Sequence, residues 1–101
     1  MKLTGKPELD VKIISPSRTH FEGKALAVSA VNRVGPFDIL KDHANFFSLL
    51  TEGTVKVNTS DEVLEFPITH GIVKVANNVV TLFIDIEPTH NEAGAAQATK
   101  Q

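Results

Sequence analysis

An all-β domain, an antiparallel sandwich or barrel, is predicted by three observations. Val, Ile, Thr and Phe supply 33 of the 101 residues, a bias toward side chains that suit a pleated, half-buried surface. Apolar residues recur with period two over several short runs, which places alternate side chains on opposite faces of a strand. Turn signals interrupt these runs at short intervals, as expected of a chain that folds back repeatedly on itself.

In chain order, Leu9, Val11 and Ile13 alternate with Asp10 and Lys12, and Ser15-Pro16 closes the run. Gly23 and Gly35-Pro36 are the next breaks. Between them, residues 25–31 are weak in aromatic strand formers and stay ambiguous. So do residues 44–50, which are long enough for one helical turn. Val55 and Val57 flank Lys56 after Gly53. Beyond Ser60-Asp61, Leu64, Phe66 and Ile68 alternate with Glu65, Pro67 and Thr69. Asn77-Asn78 reads as a two-residue hairpin turn, because asparagine tolerates positive φ. It leads into Val80, Leu82, Ile84 and Ile86, which alternate with Thr81, Phe83 and Asp85. No long helical periodicity runs between residues 8 and 86.

After Glu87 the character changes. Pro88 stops the last strand, and residues 91–98 are small and polar. Asn91 suits a helix cap with Glu92 near the positive helix end. Gly94 weakens such a helix, and a length of about ten residues is marginal for an isolated one. The expectation is therefore a domain over residues 8–86, a loose N-terminus over 1–7, and a frayed tail or helix stub over 87–101.

A chain of this length makes one domain, and 42% hydrophobic residues suffice for a core without disulfides. Cysteine is absent, which removes a disulfide framework, a thiolate nucleophile and a cysteine-based metal site. Ten basic against twelve acidic residues, a formal charge of −2, leave no footprint for nucleic acid or an anionic membrane surface. Residues 1–10 hold Lys2, Lys6, Pro7, Glu8 and Asp10 and no apolar signal region. Apolar stretches fall far short of the ~20 residues that span a bilayer. The expectation is a soluble protein without direct membrane insertion, monomeric when isolated, whose membrane association comes through a partner.

Candidate chemistry is sparse. His20, His43, His70 and His90 include no His-x-His or His-x-x-x-His spacing, so a metal site would need histidines from separate loops to converge. The serines at 15, 17, 29, 48 and 60 lie in no Gly-x-Ser-x-Gly elbow. The six glycines never cluster as a phosphate-binding loop and read as turn residues. No catalytic residue, cofactor or metal is expected.

Four segments carry a family resemblance. They are Phe21-Glu22-Gly23; Gly35-Pro36-Phe37-Asp38-Ile39-Leu40, with His43-Ala44 following; Gly53-Thr54-Val55-Lys56-Val57; and Gly71-Ile72-Val73-Lys74-Val75-Ala76-Asn77-Asn78-Val79-Val80-Thr81. In order and spacing they resemble the N-terminal β-sandwich of the epsilon subunit of F-type ATP synthases, called delta in mitochondria, over roughly residues 8–86. The resemblance implies two antiparallel sheets of about ten short strands. It implies a non-catalytic central-stalk subunit that docks on the gamma subunit and the c-ring, couples ion flow to ATP synthesis, and sits peripherally on the cytoplasmic face of the inner membrane or its organelle equivalent.

Carried over residue by residue, the ring-facing candidates are Phe37, Asp38, Ile39, Leu40, Asp42 and His43, with core packing the competing role for Phe37 and Ile39. For His43 the competing role is a hydrogen bond to its own loop. The loop departs from the family pattern at Pro36, Asp38 and Lys41-Asp42, where the family has an acidic residue, a glycine and a Pro-Gly pair. Asp38 or Asp42 would then offer replacement negative charge to basic ring loops. Phe46-Phe47 is a second departure. One of the two should leave the core on period-two grounds, and the pair are the gamma-facing candidates. Family members continue into a C-terminal helical hairpin that inhibits hydrolysis and in some bacteria binds ATP. Fifteen residues after Ile86 cannot build it, so neither function is expected here. The competing reading is a free-standing β-sandwich adaptor with another partner.

Overall fold

A computed structural model of the protein describes residues 6–86. The alternating runs become nine strands: β1 (Leu9–Ile14), β2 (Thr19–Ala25), β3 (Ala27–Asn32), β4 (Gly35–Leu40), β5 (Phe46–Leu50), β6 (Gly53–Asn58), β7 (Val63–Ile68), β8 (His70–Ala76) and β9 (Val79–Asp85). No helix occurs among the described residues. Two sheets form, ordered β2-β1-β9-β8-β5 and β4-β3-β6-β7. The result is a β-sandwich, and the barrel alternative falls because the two sheets do not close on one another. Expectations for residues 1–5 and 87–101, including the tail, His90 and the Asn91 cap, lie outside the described residues.

Every ladder is antiparallel except one. β1 runs parallel to β9, with Val11 opposite Val80 and Ile13 opposite Leu82. The two strands lie far apart in the chain, so no hairpin constrains their direction, whereas β8 and β9 are joined by a tight turn and must be antiparallel.

Both ambiguous windows are strands. Phe46–Leu50 pairs residue for residue with Val75–Gly71 of β8, and its side chains alternate in burial. Those ladder hydrogen bonds outweigh the weak local case for a single helical turn. In β3, Ala27, Val28 and Ala30 are buried, and small side chains are what a central strand between two partners can accommodate. The core joins the inner faces of both sheets: Leu9, Val11, Ile13, Val73, Val75, Val80 and Leu82 from the first, Val28, Ala30, Ile39, Val55 and Val57 from the second. No polar or charged side chain is buried among the described residues.

Three turns are set by local chemistry. Asn77 and Asn78 have φ of 50° and 65°, the left-handed pair of a tight hairpin, and join Ala76 to its ladder partner Val79. Gly35 has φ of 138°, which L side chains rarely adopt, and Asn32 Oδ1 accepts from the Val34 and Gly35 N–H groups at 2.9 and 3.3 Å to hold that corner. Thr59 Oγ1 accepts from the Asp61 and Glu62 N–H groups at 3.2 and 3.0 Å.

Candidate partner-docking surfaces

Two surfaces stand out, one at each end of the long strands. The first is the β4–β5 connection, residues 41–45. Asp42 takes φ of 65° in the middle of it. Its N–H donates to Asn78 Oδ1 at 2.7 Å, and Asn78 Nδ2 donates back to Asp42 Oδ1 at 3.2 Å. Asn77 N–H donates to Asn45 Oδ1 at 3.1 Å. Lys41 reaches Glu8 at 3.0 Å, and that carboxylate, with Asp42 beside it, raises the lysine pKa above its ordinary value. His43 N–H donates to the Leu40 carbonyl at 3.1 Å, and His43 Nδ1–H donates to the Ala44 carbonyl at 2.8 Å. The loop is thus held from one side by the β8–β9 turn and from the other by Glu8, just before β1.

The structure divides the six ring-facing candidates. Ile39 is fully buried and Phe37 packs against the core, with its ring 5.5 Å from that of Phe46. Alternation along β4 turns both inward, so Ile39 takes the competing core role and Phe37, half-buried, borders the core. Asp38 and Leu40 face outward from the same strand. Asp38 accepts from Ser29 Oγ at 2.6 Å. Asp42 and His43 lie in the clamped loop, with the His43 ring half-buried edge-on to Phe46 at 5.4 Å. Of the gamma-facing pair, Phe46 turns toward the core and Phe47 is 64% exposed on the outer face.

The second surface was not visible in the period-two pattern. On the outer face of the five-stranded sheet, Ile14 lies opposite Phe83, Phe83 opposite Ile72, and Ile72 opposite Leu49. A row of large apolar side chains therefore crosses four strands where a solvated sheet would carry polar ones. Phe83 is 50% and Leu49 62% exposed. The row lines a groove of about 580 Å³ shared with Pro16, Leu50, Gly71 and Ile84. His70 and Asp85 close one rim, with His70 Nε2 2.8 Å from Asp85 Oδ2. Phe83 was the available signal, because it stands at a polar-face position of its strand. What could not be read is that three other strands place apolar residues in the same row. The groove lies near the opposite end of β9 from the Asn77-Asn78 turn, roughly 13 Å along the strand from Val79.

His20 Nε2 and Ser15 Oγ share a 2.7 Å hydrogen bond in the β1–β2 turn. Burial of the ring, then the nearby Arg18 charge, lower the His20 pKa. No three His, Asp or Glu side chains gather into a metal-holding group among the described residues. Nor, among them, is any helix long and apolar enough to cross a membrane.

Residues 8–86 match the family described as ATP synthase, Delta/Epsilon chain, beta-sandwich domain. The ATP synthase epsilon chain of Synechococcus elongatus is 32% identical over 77 residues, covering 76% of this chain and 56% of that protein. The epsilon chain of Xanthomonas campestris is 38% identical over 74 residues, covering 72% and 53%. The chain thus spans about half the length of these curated relatives. The fold is shared with a chain in the central stalk and c-ring structure of the Tetrahymena thermophila mitochondrial ATP synthase, with a TM-score of 0.69 and 19% identity, covering 81% of this chain and 66% of that one. It is shared also with a chain in the OSCP/F1/c-ring structure of the Euglena gracilis enzyme, with a TM-score of 0.73 and 14% identity, covering 83% and 54%. With the sandwich and this match over nearly all of the described residues, the chain belongs to the family of delta/epsilon chains of ATP synthase, of which it carries the β-sandwich domain.

Proposed function

We propose that this domain is a non-catalytic part of the central stalk of an F-type ATP synthase. It docks on the gamma subunit through the apolar groove of the five-stranded sheet and on the polar loops of the c-ring through the Asp42 loop. It is peripheral to the coupling membrane and helps convert ion-driven rotation of the ring into ATP synthesis. The observation that carries this reading is the outward-facing row Ile14, Phe83, Ile72 and Leu49, of which Phe83 and Leu49 are exposed and the others half-buried, because a contiguous apolar face of this kind marks a surface covered by a partner. Its position at the far end of the strands from the hydrogen-bonded Asp42 loop lets one small body touch two partners at once. Packed interiors resist deformation, so torque entering one surface reaches the other.

The test is co-expression with the gamma subunit of the same organism, followed by native mass spectrometry. A one-to-one complex that survives physiological salt and is lost in Phe83→Asp supports the reading. A chain that stays monomeric beside folded gamma overturns it in favour of an adaptor with another partner. The ring contact is tested separately with Asp38→Asn and Asp42→Asn together. Binding to purified c-ring should become weaker and less salt-sensitive, and unchanged binding removes these carboxylates from the interface.

A further inference from the structure

Two lysines flank one side of the groove, opposite the rim that holds Asp85. Two residues along the strands from the apolar row runs a second row, Lys12, Thr81, Lys74 and Phe47, opposed in that order across β1, β9, β8 and β5. Both lysines are exposed and neither is in an ion pair among the described residues, although Glu22 is the cross-strand neighbour of Lys12. By contrast Lys24 and Lys41 are each held by a carboxylate, at 2.8 and 3.0 Å. The unengaged positive charge of this sheet face is thus next to its apolar groove.

Spacing constrains what fits. Neighbouring strands lie about 4.8 Å apart, so the four apolar side chains repeat at about that interval over roughly 14 Å. An extended segment repeats its same-face side chains about every 6.7 Å and would fall out of step. A helix laid across the strands repeats each turn, about 5.4 Å, and stays in step over its roughly three turns on the row. Lys12 and Lys74 are two strands apart, about 9.6 Å, close to the ~10.5 Å between helical positions i and i+7. Residues 87–101 hold no apolar side chain larger than proline and cannot fill the groove.

From this we propose that the groove receives an amphipathic helix of the partner subunit, whose apolar ridge lies on Ile14, Phe83, Ile72 and Leu49 and whose flank carries carboxylates two turns apart facing Lys12 and Lys74. The inference rests on the gamma-docking reading of the same groove and adds the chemistry and shape of the segment bound.

The test uses the complex with gamma. Lys12→Glu and Lys74→Glu together should weaken it about fivefold to tenfold, with reduced salt dependence, as expected for reversed charges at an interface rim. Phe83→Asp should weaken it by at least about thirtyfold. Zero-length carbodiimide cross-linking should join Lys12 and Lys74 to acidic residues of gamma about seven positions apart. Both lysines are exposed, so the double variant should fold, and its melting curve checks this. Gamma binding that needs Phe83 but ignores the lysine reversal overturns the acidic helix while leaving the docking reading in place. Cross-links to acidic residues without helical spacing overturn the helix in the same way. Failure of the wild-type chain to bind gamma overturns both.

Discussion

Asp42 and Asn78, 36 residues apart in sequence, hold each other by reciprocal hydrogen bonds, backbone N–H to Oδ1 in one direction and Nδ2 to Oδ1 in the other. Both have left-handed backbones. The arrangement ties a connection between the two sheets to a hairpin turn. Asn78→Gly keeps the turn conformation and deletes the clamp. It should cost about 1 kcal/mol of stability and accelerate hydrogen exchange at the Asp42 amide. Asn78→Ala should cost roughly a further 1–2 kcal/mol, because alanine also meets the left-handed penalty.

Neighbouring positions on β4 should behave oppositely. Ile39 is fully buried between the sheets, whereas Leu40 faces out. Ile39→Ala should destabilise the domain by about 2–5 kcal/mol in chemical denaturation. Leu40→Ala should stay within about 0.5 kcal/mol of the parent, so any effect it has on ring binding is a contact effect.

Alternation already implied that Phe37 and Ile39 share one face of β4 and Asp38 and Leu40 the other. It did not say which face is inside, since the glycine that opens the strand and the proline after it carry no such information. Likewise the two asparagines announced a tight turn, but nothing nearby in sequence showed that one of them would reach Asp42.

Gly71 is limited by space rather than by φ. A Cβ there would stand 2.6 Å from the Phe83 carbonyl oxygen and 3.2 Å from Ile84 Cα, both backbone atoms of the paired strand. Gly71→Ala must push β8 from β9 at the floor of the groove, and should cost about 1–3 kcal/mol as overpacking. If the groove is the gamma surface, the same variant weakens the gamma complex while leaving c-ring binding unchanged. Measuring both partners separates a local shift from general loss of fold.

His20 makes the stability pH-dependent. Its pKa is lowered from the ordinary 6.5 by burial first and by Arg18 second. A histidine with a depressed folded pKa favours the folded state while neutral. That contribution is present above the unfolded pKa and is lost as pH falls through the folded value. Denaturation curves should therefore show declining stability as pH drops below about 6.5, before most carboxylates titrate. In His20→Gln this part of the decline should disappear, and an unchanged profile would assign it to other groups.

The alternating strands, their turns and an antiparallel sandwich or barrel were available from residue order alone, because period two and turn chemistry are local and each residue reports its own preference. The family was legible for the same reason, as short motifs in a fixed order. The docking surfaces were not. The apolar row takes one residue from each of four strands, and only the register of β1, β9, β8 and β5 sets Ile14, Phe83, Ile72 and Leu49 side by side. The ambiguity over residues 44–50 was settled on the same ground: strand pairing with β8 is a long-range contact, and in forming it the chain overrides a weak local preference.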